Sequence, residues 1–150
     1  MKLVVPPPLQ GLAFGVAMWL LSRALPAYSA AFVGQKFLAG ALIITGLASD
    51  VVAVCAFFKA RTTVNPLRPA NSSTLVNNGL YRYSRNPMYL GLLAILTGWA
   101  IWLANPLNLI LLIGFIFYIT EFQIKPEEQV LQDKFSTQYA DYCRQVRRWI

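Results

Sequence analysis

Polar side chains are concentrated at two places in this otherwise apolar chain. The first, here called the arginine turn, covers residues 79–91 and contains two arginines, an asparagine and three tyrosines: Tyr81, Arg82, Tyr83, Arg85, Asn86 and Tyr89. The second, the glutamate turn, covers residues 123–128 and contains an amide, a lysine and two acids: Gln123, Lys125, Glu127 and Glu128. Arginine binds carboxylates and phosphates through a planar fork, and glutamate accepts hydrogen bonds from hydroxyl or ammonium groups. If the two turns meet in space, they predict a binding site for a ligand with a carboxylate, a diol or ammonium group, and a flat apolar part.

Two common cofactors carry such groups. S-adenosylmethionine has an amino-acid end, a ribose diol and an adenine ring, whereas NADPH has phosphates in place of the amino-acid end. Each residue also has a purely structural explanation, because a proline followed by two acids suits a helix start, and because arginine and tyrosine are common beside membrane spans. The residues alone therefore leave open a methyl-donor site, a nicotinamide site and a structural role.

The composition indicates a membrane protein. Of the 150 residues, 57% are hydrophobic and 13% are charged, whereas soluble domains are about 25% charged. A chain of this size could not bury so much apolar surface in a water-soluble core. There is no histidine, and Cys55 and Cys143 lie in unlike surroundings, so neither a metal site nor a disulfide is expected. The net charge of +7 fits lysines and arginines at a cytoplasmic membrane surface better than it fits nucleic-acid binding.

Four apolar runs are candidate membrane spans, at residues 9–25, 37–58, 89–104 and 107–122. A spanning helix needs about 20 mostly apolar residues, and the first two runs meet that length. The last two are shorter and are separated by Asn105-Pro106, where the proline ends or kinks a helix. As one helix, residues 89–122 would be about 50 Å long, so we expect a helical hairpin, with a single broken helix as the alternative. The first run is expected to be a retained helix rather than a cleaved signal peptide.

The C-terminal segment has the pattern of an amphipathic helix over residues 126–146. Apolar residues recur there at spacings of three and four: Val130, Leu131, Phe135, Tyr139, Tyr142, Val146 and Trp149. We expect this helix to lie at the membrane interface or to pack against the cytoplasmic ends of the spans. The predicted fold class is therefore an all-α integral membrane protein, one domain over residues 1–150, with about four transmembrane helices and a C-terminal interfacial helix.

Loop charges predict the orientation of the chain. The connection 59–85 carries five lysines and arginines and no acid, and the tail after Phe122 carries five more, whereas the hairpin connection carries no charge. Because positively charged loops stay in the cytoplasm, both termini and the middle connection should face it, and four spans satisfy this. The topology brings the arginine turn and the glutamate turn to the same side. Asp50, inside the second run, is expected to be either a site residue or a buried structural or interfacial group.

These residues resemble the isoprenylcysteine carboxyl methyltransferase family and the related phospholipid methyltransferases. The family pattern is a glycine and tyrosine, an arginine–histidine–proline–tyrosine turn, a helical hairpin, paired glutamates and a later run of aromatic residues. Here it is Gly79, Tyr81, Arg85-Asn86-Pro87, Tyr89, Glu127-Glu128, Phe135, Tyr139 and Tyr142. The resemblance extends from about residue 61 to the C terminus, and the segments 62–66 and 146–149 fit the bacterial branch. It implies a small multi-pass enzyme, in a bacterial inner membrane, with its active site on the cytoplasmic side.

Residue roles follow from the resemblance position by position. It implies that three parts of the chain bind the cofactor, namely Leu75, Val76, Tyr81, Asn86, Pro87, Tyr89, Glu127 and Glu128. Arg85 and Tyr89 are the expected catalytic residues. The expected substrate contacts are Arg85, Gln123 and Lys125. The family has histidine where this chain has Asn86, and asparagine still hydrogen-bonds adenine or ribose. The isoprenylcysteine enzymes have arginine where this chain has Gln123, which leaves a substrate carboxylate to Arg85 or Lys125.

The resemblance implies transfer of a methyl group from S-adenosylmethionine to a lipophilic acceptor, with S-adenosylhomocysteine as the product. A carboxylate or thiolate acceptor is already deprotonated, so the reaction needs alignment and exclusion of water rather than a general base. The acceptor would be a lipophilic small molecule or a lipidated substrate that arrives from the bilayer among membrane lipids. No metal and no nucleic acid is expected. Two alternatives stay open, an NADPH-dependent membrane reductase of the sterol-reductase type and a non-catalytic membrane protein that keeps the fold.

Overall fold

The computed structural model describes residues 5–59 and 75–150. The regular secondary structure of these residues is helical. In these two ranges the elements are α1 (Pro7–Ala24), a 3₁₀ turn (Pro26–Tyr28), α2 (Gln35–Lys59), a second 3₁₀ turn (Gly79–Arg82), α3 (Pro87–Trp102), α4 (Asn108–Ile119), a π-helical segment (Thr120–Ile124) and α5 (Lys125–Gln145). The predicted all-helical class is confirmed over these ranges. The segment 62–66, part of the family resemblance, lies outside the described residues.

Each predicted apolar run corresponds to one helix. α1 and α3 begin with a proline, which suits the first turn because an N–H there would have no partner within the helix. Over the described parts of the chain, two helical runs are long and apolar enough to cross a membrane, Gln35–Ala56 and Asn108–Gln145. α3 is apolar but has only 16 residues. The helices therefore agree with a membrane protein, while four crossings stay a prediction.

The chain reverses direction at the break that Asn105-Pro106 predicts. After α3, Ala104 takes a left-handed conformation with φ of 54°, and the Asn105 side chain accepts a hydrogen bond from the Leu107 N–H (3.1 Å). α4 then returns beside α3. Buried residues of this hairpin form one core with α1: Met18, Tyr89, Leu96, Ala100, Leu112, Phe115, Ile119 and Ile124. A hairpin, rather than one broken helix, is therefore the structure of residues 89–122.

Glycines allow α2 and α3 to approach each other closely. A Cβ placed on Gly46 would be 2.6 Å from the backbone oxygen of Gly91, and one on Gly98 would be 2.7 Å from the backbone oxygen of Ala39. Side chains cannot approach backbone oxygens so closely, and small residues are a common device for packing helices in membranes. This contact fixes the start of α3 against the second half of α2, where Asp50 lies.

The end of the hairpin differs from the sequence expectation. The sequence predicts separate helices over 107–122 and 126–146, but α4 and α5 form one helical run joined by the π segment. Pro126 has no N–H to donate, and its ring would clash with the carbonyl four residues earlier in a regular helix. A π turn contains an extra residue and opens the helix locally, which accommodates the proline. The helix therefore continues past Pro126 instead of ending before it.

The apolar stripe of α5 packs onto the segment that precedes the arginine turn. Leu75 forms a buried cluster there with the tyrosines and the valine of the stripe, and further apolar side chains pack against it: Tyr139, Tyr142, Val146, Leu131 and Phe135. Ser136 interrupts the helix with a φ of 43°. The sequence predicts that this helix lies at the membrane interface or packs against the rest of the protein, and these residues show the packing. Its contact with a membrane surface stays a prediction.

Candidate functional site

The hairpin brings the first turn of α3 to the π segment and to the first turn of α5. At this junction the Tyr89 hydroxyl donates a hydrogen bond to Oε1 of Glu127 (2.6 Å). The side-chain amide of Gln123 donates to the same oxygen (2.8 Å). The arginine turn and the glutamate turn therefore meet in space, and we call these three side chains the Glu127 network.

α1 orients the network from a further side. Gln10 lies near the start of α1, and its amide donates to Oε1 of Gln123 (3.2 Å) and to the backbone oxygen of Val5 (2.8 Å). Because Oε1 of Gln123 accepts this bond, the Gln123 NH₂ group is directed to Glu127. Both amide side chains are buried. Sequence reasoning missed Gln10, whose signal is a single amide near the start of an apolar run.

The Glu127 carboxyl accepts hydrogen bonds from two neutral side chains, Tyr89 and Gln123, and lies beyond the apolar part of the α4 run. Burial raises the pKa of Glu127 to about 7, although the hydrogen bonds from Tyr89 and Gln123 act in the opposite direction. Both of these bonds reach Oε1, and no hydrogen bond from a described residue reaches Oε2. A carboxyl with a raised pKa and an oxygen left over is suited to accept hydroxyl groups or to pair with a cation.

The neighbouring acid has the opposite electrostatic environment. Arg148 holds Glu128 at two points, with Nε 3.0 Å from Oε1 and Nη2 2.7 Å from Oε2. Arg85 adds a third contact, in which Nη2 lies 3.3 Å from Oε1. Two positive guanidinium groups share one carboxylate, so this group, here called the arginine pair, keeps a positive charge that attracts an anion. Sequence reasoning assigned Glu128 to the cofactor and missed Arg148.

Contacts on several sides fix Arg85. Besides the ion pair with Glu128, Nη1 donates to the sulfur of Cys143, and the backbone N–H donates to the backbone oxygen of Arg147 (3.0 Å). The Nε of Arg85 is buried and has no hydrogen-bond partner among residues 5–59 and 75–150. An unmet buried donor costs about 1–3 kcal/mol, so an oxygen of a ligand would be stabilised there. The catalytic and substrate roles of Arg85 stay predictions.

The C-terminal tail closes over the start of α3. The side-chain amide of Asn86 donates to the backbone oxygen of Arg148 (3.0 Å), and the Ser84 hydroxyl donates to the same oxygen (3.4 Å). Asn86 stands where the family has histidine, and here its amide holds the tail. Pro87 is buried as the first residue of α3. Cofactor contacts from Asn86 and Pro87 stay predictions.

The segment before the arginine turn forms an apolar wall beside the junction. Val76 and Tyr81 are buried against Ala53 of α2. The Tyr142 hydroxyl donates to the backbone oxygen of Tyr81 (2.6 Å), which ties α5 to this wall. Leu75 is buried on the α5 side of the same segment. The structure therefore brings these three expected cofactor residues, Leu75, Val76 and Tyr81, close to one another beside the α3 start.

Lys125 has a different partner from the rest of the expected site. It forms an ion pair with Glu121, one turn earlier, and about half of each side chain is exposed. This pair involves neither the Glu127 network nor the arginine pair. A substrate contact from Lys125 stays a prediction, and the junction itself offers the arginine pair as the group that would meet an anion.

Known proteins resemble this chain over most of its length. Residues 34–138 match the phospholipid methyltransferase family. An uncharacterized protein of Haemophilus influenzae is 48% identical over 63 residues, which are 42% of this chain and 100% of that protein. The matched family range includes the arginine turn and the glutamate turn.

Two named relatives are similar over a longer stretch. Protein-S-isoprenylcysteine O-methyltransferase of Saccharomyces cerevisiae is 29% identical over 105 residues, which are 70% of this chain and 44% of the yeast protein. Protein-S-isoprenylcysteine O-methyltransferase B of Arabidopsis thaliana is 28% identical over 105 residues, which are 70% of this chain and 53% of the plant protein. The chain thus spans about half the length of these two relatives.

Proposed function

The chain belongs to the phospholipid methyltransferase family, and from that premise we propose that it is a membrane methyltransferase that takes its methyl group from S-adenosylmethionine. The observation that carries the proposal is the Glu127 network, which joins the two polar turns at the junction of α1, α3 and α5. The names of the yeast and plant relatives support a methyl transfer of this kind.

The groups at the junction fit this methyl donor. Oε2 of Glu127 would accept hydrogen bonds from the ribose hydroxyls or from the ammonium group. The buried Nε of Arg85 is left for a carboxylate oxygen of the acceptor rather than of the donor. Val76, Tyr81 and Pro87 would enclose the flat base. The same groups suit NADPH less well, because its phosphates require several cations, and the guanidinium groups here already share Glu128.

We propose that the acceptor is lipophilic and carries a carboxylate or a thiol. The relatives' names refer to O-methylation of an isoprenylcysteine, and the arginine pair supplies a positive charge for such a carboxylate. Gln123, which stands at the family's arginine position, is held between Gln10 and Glu127. Its contribution is therefore to shape the site and to orient Glu127, rather than to neutralise an acceptor.

The chemistry asks the protein to position groups rather than to move protons. When bound, S-adenosylmethionine supplies an electrophilic methyl carbon on a positively charged sulfur. The Glu127 network would hold the donor, the arginine pair would orient the acceptor's anion in line with that carbon, and the tail over the α3 start would exclude water. A carboxylate or thiolate already has the attacking electron pair, so no side chain is needed as a general base.

Direct binding tests this proposal. The purified protein should bind S-adenosylhomocysteine with a micromolar Kd in isothermal titration, about −8 kcal/mol, and NADPH should give no binding heat. Preference for NADPH would move the protein to the reductase class. If neither ligand bound to a folded sample, with folding checked by circular dichroism, the proposal would be wrong and a non-catalytic membrane protein would be the remaining reading.

We further propose four membrane crossings, in a bacterial inner membrane, with the junction on the cytoplasmic side. The position of Ala30 supports this topology. Its backbone N–H donates to the backbone oxygen of Ala104 (2.6 Å), which lies at the hairpin turn, at the opposite end of α3 from the junction. In a background without Cys55 and Cys143, Ala30→Cys should react with an impermeant thiol reagent only from outside, and Ile150→Cys only from inside. Labelling of both positions from the same side would contradict the topology.

A further inference from the structure

A second carboxylate lies beside the junction, on α2. The Oδ1 atom of Asp50 is so close to α3 that a Cβ on Gly91 would be 2.1 Å from it. Gly91 is the last residue of the arginine turn. Because it has no side chain, it leaves room for the Asp50 carboxyl. The same close packing of α2 and α3 that shapes the fold places this acid against the start of α3.

Hydrogen bonding at the Oδ1 atom of Asp50 does not explain the position of this residue among the described parts of the chain. Its Oδ1 is shielded from solvent and accepts no hydrogen bond from any residue in the described ranges. The neighbouring Ser49 directs its hydroxyl to the backbone oxygen of Pro87 instead (3.5 Å). A carboxylate inside an apolar helix is expensive unless a donor or a cation meets it, and such residues mark ligand sites. A buried structural hydrogen-bonding role is therefore not supported.

Tyr81 joins the helices that carry Asp50 and Glu127, because its side chain packs against Ala53, one turn after Asp50 on α2, and its backbone oxygen accepts the Tyr142 hydroxyl of α5. Burial raises the pKa of Tyr81, and the negative charges of its neighbours, including Tyr142, Glu127 and Asp50, raise it further. The nearby guanidinium of Arg85 is engaged by Glu128. Asp50 therefore lies on the face of α2 against which Val76 and Tyr81, the wall of the proposed cofactor site, are packed.

We propose that Asp50 faces the positively charged sulfur of the methyl donor, so that the site distinguishes S-adenosylmethionine from its neutral product. This inference rests on the proposed function. In the reaction the bond between sulfur and the methyl carbon breaks, its electron pair stays on sulfur, and a carbon–oxygen or carbon–sulfur bond forms to the acceptor. The sulfur loses its positive charge in that step. The attraction to Asp50 therefore favours the donor before transfer and is absent afterwards, which promotes exchange of product for donor.

This role of Asp50 should affect KM for the methyl donor but not lower kcat when Asp50 is replaced. Attraction between Asp50 and the sulfonium is strongest in the bound donor and weakens as the charge disperses in the transition state. Such ground-state binding lowers KM without raising kcat. Asp50→Asn should therefore raise KM for S-adenosylmethionine by about tenfold or more, the effect of losing a hydrogen bond or contact to a charged group, while kcat is unchanged or higher.

Three ligands test the inference by isothermal titration on the full chain. S-adenosylmethionine and sinefungin carry a positive charge at or near the sulfur position, whereas S-adenosylhomocysteine carries none. Asp50→Asn should weaken the two charged ligands by about tenfold and the neutral one by less than twofold. Asp133→Asn, an exposed acid of α5, is the matched control and should change none of the three affinities.

Gly91→Ala provides a second variant that leaves Asp50 in the chain. Its new Cβ would meet both the Asp50 carboxyl (2.1 Å) and the backbone oxygen of Gly46 (2.8 Å), so thermal unfolding must first show that the two helices still pack. In folded samples the displaced carboxyl should reduce the same preference for charged ligands. Equal weakening of all three ligands by Asp50→Asn, or no weakening, would overturn the role of Asp50 while leaving the proposed function intact. Failure of the unaltered protein to bind any of the three would overturn both.

Discussion

The two ends of the hairpin use polar side chains in different ways. At the end formed by the α3–α4 turn, buried amides complete the helix ends: Gln35 donates to the backbone oxygens of Ile101 (2.7 Å) and Trp102 (3.0 Å), and Asn105 donates to that of Leu25 (3.0 Å). At the junction, side chains mainly contact other side chains, and both Glu127 and Glu128 take part. At the first end the hydrogen bonds come mainly from neutral amides to backbone oxygens, whereas at the second end the bonds converge on two glutamates.

The two ends of the hairpin also differ in the contacts of their charged side chains. At the turn end, Arg23 and Lys36 lie over tryptophan rings, at 5.6 Å from the Trp19 centroid and 5.8 Å from the Trp102 centroid. At the junction end, charged atoms without partners remain in the described structure, at Arg85 Nε and Asp50 Oδ1. Unmet charged atoms lower stability, and proteins retain them where a ligand needs them. The comparison predicts that substitutions at the junction change binding, whereas substitutions at the turn end change stability.

The largest expected effect is at Glu127. Glu127→Ala should weaken binding of S-adenosylhomocysteine by about 1.5–3 kcal/mol, because a hydrogen bond to a charged group is lost. The protein should stay folded, with a lower unfolding temperature because Tyr89 and Gln123 lose their acceptor. Binding should also weaken as the pH falls below about 7, where Glu127 becomes protonated. Titrations at several pH values check both results, and Glu121→Gln, an exposed acid one turn before Lys125, is the control. Loss of folding in Glu127→Ala would instead make this residue part of the stable frame.

Arg85 should give the next effect, on turnover. Arg85→Lys should reduce methyl transfer by tenfold or more, about 1.4 kcal/mol in the transition state, because lysine does not reproduce the fork that meets a carboxylate. Affinity for S-adenosylhomocysteine should change little. The measurement is a matched pair of assays, titration and turnover on a panel of lipophilic acids and thiols. If Arg85→Lys abolished cofactor binding, the residue would belong to the cofactor's own carboxylate.

A substitution at the turn end should lower stability and leave cofactor binding unchanged. Asn108 is fully buried, and its amide donates to the Ser22 hydroxyl (3.0 Å). Asn108→Ala should lower the free energy of unfolding by about 1 kcal/mol, the usual net value of one such bond, and should leave cofactor affinity unchanged. Thermal unfolding in detergent and titration of the same sample check the two halves of this expectation. A selective loss of affinity would remove the contrast between the two ends.

The smallest effect is expected at Lys125. Its ion pair with Glu121 is half exposed, and such pairs contribute about 0–1 kcal/mol. Lys125→Gln should therefore leave stability, cofactor affinity and turnover within about twofold of the unaltered protein, which is about 0.4 kcal/mol. A tenfold loss of turnover with unchanged cofactor affinity would support the sequence-based prediction that Lys125 meets the acceptor.

Local patterns in the sequence predicted the hairpin and the meeting of the arginine turn with the glutamate turn. The break at Asn105-Pro106 fixes where the chain reverses, and two helices of similar length then bring their far ends together. The contact from Gln10 to Gln123 could not be predicted in this way, because it joins residues 113 positions apart and depends on how α1 packs. Arg148 was missed for the same reason, since nothing near it in the sequence indicates that the tail returns to α3.

The different roles of two adjacent glutamates were harder to predict than the packing of neighbouring helices. Glu127 and Glu128 look equivalent in the sequence, but successive residues of a helix point about 100° apart. One carboxyl therefore meets neutral donors and the other meets arginines. The rule that proline ends helices was likewise incomplete at Pro126, because it describes a regular helix and the π segment is not one.

The π segment has a consequence for how this chain can change in evolution. Glu121 and Phe122 are exposed, so substitutions there meet few packing constraints. A change in length is a different matter, because each residue added to or removed from a helix rotates everything beyond it by about 100°. Deleting one residue from Thr120–Ile124 would turn Glu127 away from Tyr89 without altering either side chain. Positions 121 and 122 should therefore vary freely in residue type across descendants of this protein, while the buried Gln123 and Ile124 and the number of residues in the segment stay constant.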